Sequence, residues 1–262
     1  MNKLSKLIVG EIEGSIKSSP HSSWYRGPVI GFADAHDPSF AQLKKLVGPN
    51  HLTPQDLLPQ ARTVMAFFIP FSDEIIVANQ NTPFVAREWA LAYIETNQLM
   101  GDICMRLFKV LNFEGVGCAW EKPTHNFDET NLISYWSHKH VAYICGLGSF
   151  GLHHMLITPK GCAGRIGSMV IDTHITPSPK VGLYQYCGYY QDGSCRWCIE
   201  ACPTGALGEN RFDRHRCYKQ LLEVDRFYPD LDLCDVCGKC AVGPCALGVY
   251  TLPLSASSCL RK

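Results

Sequence analysis

The last third of the chain carries cysteines at spacings that suit iron–sulfur chemistry. Their centre is Cys195-x2-Cys198-x3-Cys202-Pro203, with Cys187 upstream and Cys217, Cys237, Cys240 and Cys245 downstream. A 4Fe–4S cube takes four thiolates, and in two-cluster ferredoxins the cysteine before the proline ligates the other cube. That crossover assigns Cys187, Cys195, Cys198 and Cys245 to one cluster, and Cys202, Cys217, Cys237 and Cys240 to a second. Residues 188–194 separate Cys187 from Cys195, a longer gap than the usual two-residue spacing, so that segment must fold back. Cys234 is left over and reads as a spare thiol that could replace a neighbour.

Zinc and disulfides are the competing uses of such cysteines. Zinc would suit the Cys195/Cys198 and Cys237/Cys240 knuckles, but it leaves Cys202-Pro203 and Cys217 without a role. Disulfides require an exporting signal. Residues 1–10 offer only a short apolar patch broken by Lys3 and Lys6, and no twin-arginine motif is present. The expectation is therefore two 4Fe–4S clusters in a reducing cytoplasm.

Those ligands need elements to hold them. At 262 residues, with 46% hydrophobic and 18% charged residues, the chain can fill one large core and a small appended module. No apolar run reaches the ~20 residues of a membrane span. Lysine plus arginine balance aspartate plus glutamate at 24 each, which gives no reason to expect a broad nucleic-acid footprint and leaves room for a local basic patch. Cysteine density divides the chain near residue 180, with Thr176-Pro177-Ser178-Pro179 as a boundary that cannot continue a helix. The expected organisation is an α/β or α+β domain over residues 1–178 and a two-cluster ferredoxin-like module over 179–262.

Within the first part, apolar residues recur at helical spacing over 2–17, and again over 86–111 with an interruption near Gly101. Residues 64–69 read as a buried strand ending at Pro70, and further strands are expected at 141–145 and 168–172. Cys104, Cys118, Cys145 and Cys162 lie among apolar residues and read as buried structural thiols. Gly146-Leu147-Gly148-Ser149-Phe150-Gly151 forms a G-x-G-x-x-G, with Asp172 at the distance of a ribose-binding acid. A dinucleotide turn must open a helix, however, and Pro159, Gly161, Gly164 and Gly167 interrupt the place where one would run. The glycines instead license close approach of backbone to a cofactor or to another part of the chain.

The glycine run, followed by Leu156-Ile157-Thr158-Pro159, Gly167-Ser168 and the cysteine module, resembles the epoxyqueuosine reductases and the related reductive dehalogenases. Leu57-Leu58-Pro59-Gln60-Ala61-Arg62-Thr63-Val64 is similar to a stretch of those enzymes as well, so the likeness spans roughly residues 50–250. It implies the N-terminal fold of the cobalamin-dependent reductases, with cobalamin against Gly146, Gly148, Gly151 and Thr158. It further implies electrons delivered by the two clusters from a low-potential donor such as ferredoxin or flavodoxin.

Departures from that pattern bear on function. The resemblance places a catalytic aspartate at Leu132, where the nearest aspartate is Asp128, and the segment 131–140 adds Tyr135, His138 and His140 as candidate proton donors. The alternative roles are packing for Tyr135 and strand capping for the histidines. His153-His154 could approach a cofactor, although such a pair is more often a surface feature and lacks an evident third ligand. The reductases' C-terminal extension and the dehalogenases' twin-arginine signal are both missing, so the chain looks like a short cytoplasmic relative. Two functions follow. One is a cobalamin-dependent reductase of a small molecule; the other is an electron carrier without cobalamin that serves an acceptor protein.

Overall fold

The computed structural model describes residues 3–122 and 126–249. The chain opens with helix α1 (Lys3–Ser18), strand β1 (Val29–Asp34), α2 (Pro38–Leu46), the single turn α3 (Pro54–Leu57) and β2 (Thr63–Pro70). Helices α4 (Asp73–Asn81) and α5 (Arg87–Phe113) follow, then three short strands, β3 (Cys118–Ala119), β4 (Phe127–Asp128) and β5 (Ile133–Ser134). Next come α6 (His138–Ile144), β6 (Ser149–Phe150), β7 (Leu156–Ile157) and β8 (Gly164–Ile171). The cysteine-rich part holds α7 (Gly188–Asp192), α8 (Trp197–Glu200), the hairpin β9 (Leu207–Gly208) with β10 (Arg211–Phe212), and α9 (Arg214–Phe227).

A four-stranded antiparallel sheet in the order β1-β2-β8-β3 forms the frame. β2 lies inside it and every one of its residues is buried. Successive side chains of a strand point to opposite faces. Met65, Phe67 and Ile69 join Ile8, Ile12 and Ile16 of α1 and Met100, Ile103 and Leu107 of α5. Val64, Ala66 and Phe68 instead pack with Phe40 and Leu43 of α2 and Val141 and Ala142 of α6. Both faces are covered, which is why β2 reads in sequence as an unbroken apolar run. The architecture is thus α+β, a sheet between two helical layers.

Three expectations change in detail. Helix α5 runs through Gly101 without a break, because nothing crowds that position. β8 begins at Gly164, so the glycines that rule out a helix there serve a strand. The strand expected at 141–145 is instead helix α6. Both edges of β8 are already taken, by β2 and β3, and the outer edge of β1 meets the chain at Ser178, whose N–H donates to the Phe32 carbonyl at 2.8 Å. Val141, Ala142 and Ile144 are buried on one side of this helix, against β2 and α2.

The composition boundary near residue 178 is not a gap in packing. Val224, Val242 and Ala246 belong to the same apolar cluster as α1 and α5. Asn79 of α4 donates to the Cys237 carbonyl at 3.0 Å, and the buried Lys239 ammonium donates to the carbonyls of Asn79 and Thr82. Gly238, at φ +69°, lies against the Trp89 indole, where a Cβ would stand 2.2 Å from the ring. The cysteine-rich segment is fastened onto α4 and α5.

Candidate redox site

The first cysteine set converges on one small cavity. Cys187 immediately precedes α7, which Gly193 ends in a left-handed turn at φ +76°; segment 188–194 thereby folds back as its length requires. Cys198 sits in α8. Cys187, Cys195, Cys198 and Cys245 then line the same cavity with Leu152, Ile157 and Trp197. Burial pushes the Cys198 thiol up to about 12, with further contributions from Cys245, Cys187 and Cys195. Such crowding of thiols is unfavourable for bare thiolates and is relieved by shared iron.

The second set lies apart from the first. Cys202, Cys217, Cys237 and Cys240 line a large cleft between the sheet and the cysteine-rich segment. Cys217 is carried by α9 and pushed up to about 11 by burial, then by Cys237 and Cys202. Burial raises Cys240 well above the ordinary thiol range, and Cys237, Cys217, Cys198 and Cys202 add to it. Cys202 goes the other way: burial opposes ionisation, but the backbone N–H groups of Leu207, Thr204 and Ala206 and the Thr204 hydroxyl outweigh it. Although Cys202 and Cys198 are sequence neighbours, they face different cavities, and Cys240 lines both. Cys234 is buried beneath α9, its thiol 3.9 Å from the Val224 carbonyl, and lines neither.

Two residues read differently in sequence join the first set. Cys162 is buried as expected, yet its Sγ lies 3.7 Å from that of Cys245. His153 is buried rather than a surface residue, and its Nε2 lies 3.4 Å from Cys245 Sγ. The three donor atoms fall within 4.8 Å of one another, a grouping that His153-His154 conceals in sequence because the partners come from distant segments. Donation by the Cys162 thiol draws Cys245 well below the ordinary thiol range, against the effect of burial.

The cleft has a volume of about 520 Å³, within the range of organic-ligand pockets. Its walls include Phe68, Phe71, Trp89, Phe127, Leu132 and Trp136. The Tyr93 hydroxyl donates to Asp235 at 2.6 Å, and the Arg165 guanidinium lies over the Tyr93 ring, 4.5 Å from its centroid. Arg165 Nε donates to Asn97 at 3.0 Å. Trp89 Nε1 is buried and has no hydrogen-bond partner, one of two such side-chain atoms among the described residues. That nitrogen lies against Gly238 and not on the open cleft surface, and a buried unmet donor of this kind is a cost to the fold. Lys139 also lines the cleft, donates to the His154 carbonyl at 2.9 Å, and is pushed down to about 8 chiefly by burial. Trp89, Tyr93, Asp235 and Arg165 were not singled out in the sequence. Only Asp235, two residues before Cys237, carried a positional hint.

The other expected site residues behave differently. Asp128 accepts from Thr130 N, Asn131 N and Asn131 Nδ2 and so ties the β4–β5 turn; these bonds lower its pKa and it does not line the cleft. Tyr135 is exposed and also off the cleft. His138 reaches the cleft with both ring nitrogens engaged: Nε2 donates to the Lys122 carbonyl at 3.1 Å and Nδ1 receives the Ser168 hydroxyl at 2.8 Å. Burial pushes it down to about 4, so it is a neutral packing residue rather than an acid. His140 Nδ1 pairs with the Ser137 hydroxyl at 2.7 Å. The space before the glycines is filled by the chain itself. A Cβ would meet the Pro179 carbonyl oxygen at 2.3 Å from Gly146, the Ile157 carbonyl oxygen at 2.1 Å from Gly148, and the His153 ring at 2.6 Å from Gly151. Thr158 is fully buried and bonds the Gly161 carbonyl at 2.8 Å. Close approach of chain to chain is what these three glycines show, and neither they nor Thr158 line the cleft.

Comparison with known proteins bears out the resemblance to epoxyqueuosine reductases. No family model matches the chain. It is 26% identical over 187 residues to epoxyqueuosine reductase of Bacillus subtilis, covering 68% of this chain and 44% of that protein. The chain therefore spans less than half the length of that relative. Among solved structures, epoxyqueuosine reductase from Streptococcus thermophilus matches with TM-score 0.60 at 20% identity, over 97% of this chain and 69% of that one. A catabolic reductive dehalogenase matches with TM-score 0.54 at 14% identity, over 81% and 28%. An epoxyqueuosine reductase solved with a tRNA-Tyr epoxyqueuosine-modified stem loop matches with TM-score 0.56 at 16% identity, over 94% and 70%. At these identities the structures establish the shared fold. No helix among the described residues is long and apolar enough to cross a membrane.

Proposed function

We propose that the protein is a redox enzyme that conducts electrons through two 4Fe–4S clusters to an organic group bound in the large cleft. The observation that carries this reading is the sorting of the cysteines: Cys187, Cys195, Cys198 and Cys245 line one cavity, while Cys202, Cys217, Cys237 and Cys240 line another. Zinc would need only four of these thiols. The raised thiols of Cys198 and Cys217 and the N–H groups around Cys202 are the environment in which iron-bound sulfur is stabilised.

The cleft's residues fit a flat ligand that carries acceptor groups. Aromatic walls would stack on it, and Arg165, Lys139 and Tyr93 present donors along the same surface. A corrin with its amide side chains has this chemistry, and when bound it would supply a cobalt centre able to pass electrons onward. Lys139, whose pKa of about 8 leaves it largely protonated at neutral pH, and Tyr93 are the groups on the cleft that hold a transferable proton. Asp128 is not among them. The substrate is then a small molecule or a nucleoside presented by RNA, and the donor is a low-potential ferredoxin or flavodoxin. A carrier that lacks an organic cofactor is the alternative; it leaves the large aromatic-walled cleft without an occupant.

Anaerobic reconstitution with iron and sulfide should give about eight irons per chain, and Cys198→Ala should keep about four of them. A Cys198→Ala protein that still held about eight would sink the ligand assignment. Hydroxocobalamin titrated into the reconstituted protein should bind stoichiometrically. Full iron without such binding would select the carrier.

A further inference from the structure

We infer that His153 and Cys162 are hydrogen-bond donors to the Cys245 sulfur, and that they raise the reduction potential of the first cluster above the value it would have without them. The inference rests on the proposed assignment of Cys245 as an iron ligand and adds residues that the cysteine pattern does not contain.

The orientation of His153 follows from its neighbours. Met155 N–H donates to His153 Nδ1 at 3.0 Å, so Nδ1 is the acceptor and the ring proton resides on Nε2. Nε2 faces Cys245 Sγ at 3.4 Å, a distance suited to an N–H···S bond. The opposite tautomer would bring two N–H groups together at Nδ1. Cys162 supplies a second contact: its Sγ stands 3.7 Å from Cys245 Sγ, and its backbone N–H donates to the Cys245 carbonyl at 3.0 Å, which fixes the two residues side by side.

The loop that carries His153 is shaped around this aim. Gly151 lacks a side chain where the imidazole sits, and its N–H closes the loop onto the Met155 carbonyl at 3.0 Å. His154 adopts φ +60°, a conformation unfavourable for a residue with a Cβ and maintained only where surrounding contacts enforce it. Those contacts are present: the His154 ring stacks on Phe212 with centroids 5.0 Å apart, and the Lys139 ammonium binds its carbonyl at 2.9 Å. The last glycine of the G-x-G-x-x-G run thus has a purpose that involves no nucleotide. It makes room for a histidine directed at a cluster sulfur.

The electrical consequence follows from charge. One electron entering the first cluster makes the iron–sulfur core and its thiolates one unit more negative, with no bond made or broken. Hydrogen bonds to a sulfur are stronger when it bears more negative charge, so they favour the reduced state. The first cluster is thereby easier to reduce than it would be with Cys245 unbonded.

The test is an anaerobic potentiometric titration of the fully reconstituted protein, followed by EPR, with iron counted in every sample. His153→Leu should retain wild-type iron and lower one cluster's potential, so that at a fixed applied potential its reduced-to-oxidised ratio falls several-fold to roughly tenfold. The other cluster should not move. His153→Gln keeps an N–H donor and should restore most of the shift. Gly151→Ala, which crowds the ring while leaving His153 in the sequence, should move the same cluster in the same direction, and Cys162→Ala should do so more weakly. Unchanged potentials at full iron in all four variants would overturn the inference and leave the cluster assignment standing. Nitrogen coupling of ligand strength to iron in the wild-type spectrum would also overturn it, because His153 would then bind metal directly. A wild-type protein that took up no clusters would remove both the assignment and this inference.

Discussion

Single side chains decide what the cleft can do. Trp89 has an indole N–H buried without a partner, and an unmet donor of this kind costs about 1–3 kcal/mol until something accepts from it. Trp89→Phe keeps the aromatic wall and removes that donor. It should leave thermal stability unchanged or raised, because the unmet donor is removed while the ring is kept. Thermal unfolding of the two proteins makes the comparison, and a marked loss of stability would show that the indole N–H has a partner. Asp128 illustrates the opposite case. Its carboxylate is fully occupied by the turn it ties, so Asp128→Asn should loosen the β4–β5 hairpin while leaving cleft chemistry intact, read as an unchanged turnover at saturating reductant with lowered thermal stability.

At the scale of an element, α6 shows how environment overrides local pattern. Its buried histidine remains neutral because the Ser168 hydroxyl and the Lys122 carbonyl satisfy both ring nitrogens, and burial depresses its pKa from 6.5 to about 4. A depressed folded-state pKa means that the unfolded chain binds the proton first. The associated stability is complete above pH 6.5 and is lost as pH falls through about 4. The loss is on the order of 3 kcal/mol. His138→Gln should therefore flatten the acid limb of a stability–pH curve relative to wild type, measured by denaturant unfolding of the cluster-free chain. Parallel curves would mean that His138 is not the group titrating. Gly238 carries a different element-level constraint: its left-handed φ and its contact with the Trp89 ring leave no room for a methyl group. Gly238→Ala should destabilise the protein by about 1–3 kcal/mol through overpacking and backbone strain.

Across the whole molecule, the cysteine-rich segment and the sheet domain act as one body. Asn79 is fully buried and links them, accepting from Ala86 N at 3.1 Å and donating to the Cys237 carbonyl at 3.0 Å. Removing it leaves both partners unpaired. Asn79→Ala should cost about 1–3 kcal/mol and speed iron release to a chelator, since Cys237 would lose the anchor that positions it. Chelator kinetics unchanged from wild type would show that the cysteine-rich segment holds its clusters independently of α4.

The sequence by itself determined which residues could bind iron and which strand lies at the centre, because both are written in local spacing. The C-x2-C-x3-C-P run and the unbroken apolar run of β2 require no knowledge of distant partners, and the likeness to epoxyqueuosine reductases rests on contiguous motifs of the same kind. The run at 141–145 is equally apolar, yet whether it pairs as a strand depends on edges that β2 and β3 already occupy. The glycine loop announced close contact without saying with what. Only the folded chain shows its own backbone and the His153 ring in that space. Asp128, the aspartate nearest in sequence to the expected acid, faces a turn, while Tyr93, Arg165 and Asp235 arrive at the cleft from segments far apart in the chain. Long-range packing selected them, and no local pattern encodes which distant side chains will meet across a cavity.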